Sequence, residues 1–174
     1  MTTPNHLSIL GIIHTAISIL AILAGFVALY RSGKISPSIT AGKWYIWLTI
    51  ITCITGFPIM KLGHPTAGHF LGIIILVMLP IAIYAKQLRI FGKLAEYVQV
   101  ILISTTFFFS FIPATVETLT RLPISGPIAT GPNDPLIQKC LMVIAIIYLI
   151  GVIYQIVKLR ASHKTPPTLN SAVN

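Results

Sequence analysis

Five apolar stretches, at about 7–30, 44–60, 69–85, 95–116 and 139–157, leave this chain few ways to fold. A helix needs about 20 mostly apolar residues to cross the hydrocarbon of a bilayer. The second and third stretches run to about 17 residues each and predict nearly upright helices. Only 9% of the 174 residues are charged, and 55% are hydrophobic, where a soluble domain carries about 25% charged residues. A soluble fold of this length has too small an interior to hide so much apolar surface. The expectation is an all-α integral membrane bundle of five transmembrane helices, forming one domain over 1–160. The polar, proline-containing end at 161–174 predicts a disordered cytoplasmic tail. MTTPNHLS carries no Lys or Arg, so the first stretch reads as a span and not as a signal peptide.

The cations set an orientation. Arg31, Lys34, Lys43, Lys86, Arg89, Lys93, Lys158, Arg160 and Lys164 fall at one set of helix ends, and Lys61, Arg121 and Lys139 at the other. Basic residues favour the cytoplasmic side. The N-terminus is therefore expected outside and the C-terminus inside, an arrangement that requires an odd number of spans. Tyr30, Trp44, Tyr45, Trp47, Tyr84, Tyr97 and Tyr154 lie near the same inner ends, at the headgroup depth such rings prefer. The net charge of +9 is thus a topology signal. Without a clustered basic face, it does not predict nucleic-acid binding.

Small and polar residues mark the faces on which membrane helices meet. Gly11, His14, Ser18 and Gly25 share one face of the first span. Thr49, Thr52 and Gly56 mark the second, and Gly68 and Gly72 the third. Gln99, Thr106, Ser110, Pro113 and Glu117 lie close to one face of the fourth; Tyr148, Gly151 and Gln155 mark the fifth. Cys53 and Cys140 form no paired motif and read as small hydrophobes.

Four ionisable groups converge on the outer side. His14 falls about 10 Å below the outer start of the first span, at 1.5 Å per residue. His69 opens the third span, and His64 sits in the GHPTAG turn that joins it to the second. Glu117 closes the fourth span, with Arg121 one turn on as a structural ion-pair partner. An ionisable residue inside a span is a functional-site hypothesis by default. His14, His64, His69 and Glu117 supply the donor types of a zinc, copper or iron site. His14 and His69 alone are candidate axial ligands of a b-type haem. Against these stand plainer roles: a turn hydrogen bond for His69, a solvated ring for His64. No HExxH, CxxCH, GxSxG or nucleotide-loop motif is present. The long loop at 118–138 has the composition of a lid folded back over the outer mouth, or of an exposed turn-rich loop.

Three segments, AGKWYIWLTIITCITGF, GHPTAGHFLGIIILVMLPIAIYA and FFFSFIPATVETLTRLP, resemble a bacterial family of predicted multi-pass membrane proteins of unknown function. The similarity spans about 42–123, and His69, Pro113, Glu117 and Arg121 are the positions that fit its pattern. The resemblance implies a helical membrane protein and carries no activity with it.

Three functions fit these residues. One is an inner-membrane protein of a bacterium with an outer-side histidine site for a transition metal or haem b, in redox or metal handling. The second is a small transporter handling a proton or solute through the same groups. The third is a non-catalytic accessory subunit. Its partners would be the lipid bilayer, other membrane subunits or further copies of itself.

Overall fold

The computed structural model describes residues 8–59, 63–123 and 125–164, of Lys164 the backbone alone. Each apolar stretch forms a helix: α1 (Ile9–Ser32), α2 (Thr40–Gly56), α3 (Ala67–Tyr84), α4 (Ala95–Leu119) and α5 (Pro135–Lys164). A 3-10 turn at Arg89–Leu94 leads into α4, and no strand occurs among the described residues. Four of these helices are long and apolar enough to cross a membrane: α1, α3, α4 with its leading turn, and α5.

The second helix is the exception. It holds 17 residues, which rise about 26 Å at 1.5 Å each, short of the roughly 30 Å of hydrocarbon. It begins four residues before the expected 44. It stops at Gly56 because Pro58, two residues on, has no N–H to continue the ladder.

The helices pack in chain order, α1 on α2, α2 on α3, α3 on α4 and α4 on α5, with α1 also touching α4. Their common core is Ala28, Tyr45, Cys53, Leu79, Ile103 and Phe107. Gly25 matters here because a Cβ would run into the Phe107 ring. That ring stands edge-on to those of Phe26, Tyr45 and Phe111.

Several polar side chains in the interior pair across helices, while Thr49 Oγ1 and Thr52 Oγ1 of α2 are buried without a hydrogen-bond partner. The Tyr45 hydroxyl and Thr106 Oγ1 are 2.9 Å apart, joining α2 to α4. Gln99 Nε2 donates to the carbonyl of Ala82 near the end of α3 (2.9 Å), which also accepts the capping N–H of Ala85. Ser104 Oγ donates to Gln155 Oε1 (2.8 Å), and Thr105 Oγ1 lies 2.7 Å from the Tyr148 hydroxyl, fixing α5 on α4. Gln99 and Thr106 of the fourth stripe and Tyr148 and Gln155 of the fifth thus make bonds between helices, while Gly151 faces open space.

The loop after α4 folds back on that helix. Ala129 is buried and its N–H donates to Leu119 O (2.9 Å). Asp134 then caps α5: Oδ1 accepts from Leu136 N (2.9 Å) and Oδ2 from Thr130 N (3.0 Å). These two backbone N–H groups hold its carboxyl below the ordinary aspartate range. Proline at the first helical position suits the start. At its other end α5 runs through 161–164, which composition assigned to a tail. The reason is a set of end contacts, Ser162 Oγ to Leu159 O (2.8 Å) and His163 to Glu96 (3.1 Å). Residues 165–174, and with them the rest of that expected tail, lie outside the described residues, as do His6 and Lys61.

Candidate functional site

His14 lies half-buried on the small-residue face of α1, against α2. Its Nδ1 is 3.2 Å from Thr55 Oγ1. Thr55 Oγ1 also lies 2.9 Å from Ile51 O and 3.1 Å from Thr52 O. Which partner donates between ring and hydroxyl follows the His14 tautomer. Gly56 makes room for the ring, since a Cβ there would stand 3.1 Å from His14 Cε1. Glu117 of α4 is near enough to interact electrostatically with His14. It also forms an ion pair with Arg121, four residues on. The structure thus brings His14, Thr55, Glu117 and Arg121 to one end of the bundle.

His69 does something else. It is the third residue of α3, and its Nδ1 accepts from the N–H of Thr66 (3.0 Å), while Thr66 Oγ1 caps the His69 N–H in return. This is a capping box with histidine in the place usually held by Glu or Gln. Accepting at Nδ1 puts the ring proton on Nε2, and that Nε2 is buried without a hydrogen-bond partner. His64 is exposed in the turn, its Nδ1 3.1 Å from Pro65 O. Gly63 before it adopts φ 71°, the left-handed region that favours glycine.

The donor chemistry decides how these residues fit a metal or haem. Ligation at Nε2 needs a lone pair there, and the cap gives His69 a proton there instead. Ligation at Nδ1 would cost the cap. As placed, His69 fits neither the axial pair with His14 nor a four-donor site with His14, His64 and Glu117. Among the described residues no three His, Cys, Asp or Glu side chains gather where they could hold a metal ion.

The cap gives a direct test. His69→Ala leaves the Thr66 N–H unmet and is expected to lower stability by about 1 kcal/mol. His69→Gln keeps an acceptor at that position and is expected to restore most of it, read as the melting temperature in detergent. A ligand role would leave Gln as damaging as Ala.

The opposite end holds a cluster that motif reading passed over. Glu96, second residue of α4, receives Lys34 at 2.9 Å, Lys86 at 3.5 Å and His163 at 3.1 Å. The three come from the turn after α1, the segment after α3 and the end of α5. The His163 ring also stands edge-on to Tyr97. The signal was present: Glu96 is one of three acids in the chain, and it sits among most of the cations.

Comparison with family models, with curated proteins and with solved structures gives no match. The functional reading therefore rests on the chain's own residues.

Proposed function

We propose that this chain is a small bacterial inner-membrane protein that handles protons through His14 and Glu117. In this reading α2 is the fifth span, the N-terminus lies outside and the C-terminus inside. The nine-to-three distribution of Lys and Arg supports that orientation. One observation carries the functional reading: His14, held to Thr55 through Nδ1, stands within electrostatic reach of Glu117. Protonated His14 and ionised Glu117 stabilise each other, and Arg121 competes with His14 for the same carboxylate. Taking up or losing a proton at one group thus alters the charge felt by the other.

Reconstitution in liposomes with a trapped pH dye tests this. The wild type is expected to dissipate an imposed pH gradient faster than protein-free vesicles. His14→Leu and Glu117→Gln are each expected to return to the vesicle background. His64→Ala, in the exposed turn, is expected to retain the wild-type rate. A wild type no faster than empty vesicles would sink the proposal, as would stoichiometric transition metal in a protein purified with chelator-free buffers.

A second reading, an accessory subunit of a membrane complex, draws on α5. That helix packs on α4 alone among the helices, and only 6% of its apolar window is buried. The rest of its circumference is free for lipid, a second subunit or another copy of this chain. Crosslinking from cysteine placed at Ile150 in native membranes, with no product above the monomer, would remove this reading.

A further inference from the structure

The cation-rich end of the bundle contains a concave polar site. A cleft of about 230 Å³ opens between Pro37 and Ser38 of the α1–α2 turn, Ile83, Lys86 and Gln87 at the end of α3, and Gln99 of α4. Lys86 borders this cleft and also reaches Glu96, which takes the closer contact from Lys34. One carboxylate thus faces two ammonium groups, and the local charge stays positive. Lys158 adds to it, its Nζ lying against Gly33 beside Lys34. Among the described residues, no ion pair holds Arg31, Lys43, Arg89, Lys93, Lys158 or Arg160.

The surroundings fix the depth of the cleft. The 3-10 turn next to it exposes Ile90 at 86% and Leu94 at 63%, interleaved with Arg89 and Lys93. Apolar side chains alternating with cations on a short turn suit the boundary between headgroups and acyl chains. Trp44, Trp47 and Tyr84 are exposed at the same end, as rings at that boundary are.

We propose that this cleft binds the headgroup phosphate of an anionic phospholipid. Lys86 is the main charge partner; Ser38 and Gln87 are neutral donors at the rim. The acyl chains run along the exposed apolar face of α3. A surface cation near anionic lipid is worth about 1 kcal/mol, close to a fivefold change in affinity.

Native mass spectrometry of the full chain, titrated with phosphatidylglycerol or phosphatidylcholine of matched chain length, tests this. The wild type is expected to hold phosphatidylglycerol at least about fivefold more tightly. Lys86→Gln is expected to lose most of that preference. Ser38→Leu, which fills the cleft and leaves every charge in place, is expected to lose it too. Lys93→Gln, on the same end but outside the cleft, is expected to keep it. Equal losses in Lys86→Gln and Lys93→Gln would overturn the proposal in favour of diffuse surface charge. A wild type without preference would overturn it, and so would full competition by millimolar inorganic phosphate, which would mark an anion site without lipid specificity.

Discussion

Gly42→Ala is expected to destabilise the protein by about 3 kcal/mol, the upper range for overpacking a rigid site. Gly42 lies in the first turn of α2, where the helix meets the chain arriving from α1. A Cβ there would overlap the Ser36 carbonyl oxygen and stand 2.8 Å from its carbon and 2.9 Å from its nitrogen. These are backbone atoms, and no rotamer change moves them. Ser36 is itself buried, and its Oγ accepts from the Ser38 N–H (3.2 Å), so the turn is held from both sides. Relief requires the α1–α2 connection to shift, which also displaces Lys34 from Glu96. Gly25→Ala is the informative comparison. Its obstacle is the Phe107 ring, a side chain that can swing at the cost of its edge-on neighbours, so a loss of about 1–2 kcal/mol is expected. Thermal unfolding in detergent ranks the two. A Gly42→Ala protein that melts with the wild type would show that the turn is not packed as described.

The second large effect is expected at Glu96. Glu96→Gln keeps the shape of the side chain and removes the charge that Lys34, Lys86 and His163 share. The Glu96 side chain is 23% exposed, so the loss is that of a charge-assisted contact at a half-open site, about 2 kcal/mol. The full cost of breaking a buried ion pair does not apply. The signature is coupling. If Glu96 is the common partner, Lys34→Gln costs less stability in the Glu96→Gln background than in the wild type. High salt should narrow the gap between wild type and variant, because water and ions reach the cluster. Strictly additive losses would mean that the contact contributes nothing to holding these segments together.

The parts of the structure that the sequence made legible are those with local causes. Apolar runs at helical length announced the helices. The spacing of Gln99, Thr106, Tyr148 and Gln155 marked faces that do bond across the bundle. The shortfall of α2 is also visible in the sequence, once Pro58 is taken as the stop. What sequence could not show depended on contacts made over distance. Lys34 and His163 lie 62 and 67 residues from Glu96, and no periodicity links them. His69 is a separate case. A histidine at a span entrance looks like a ligand, yet Thr66-Ala67-Gly68-His69 has the spacing of a capping box, with a residue that rarely fills its last position. The proton location that separates the two roles follows only from the geometry of the Thr66 N–H. His14 needed its partner as well, because Thr55 lies 41 residues away in the chain.

The way α5 is attached bears on how the bundle is assembled during synthesis. The first four helices complete their mutual contacts using residues that precede the α4–α5 loop. The last helix then finds a finished surface on α4, with Ser104 and Thr105 already in place to receive Gln155 and Tyr148. The buried residues of the common core all belong to the chain before the α4–α5 loop, and α5 adds its own bonds on the outside of α4.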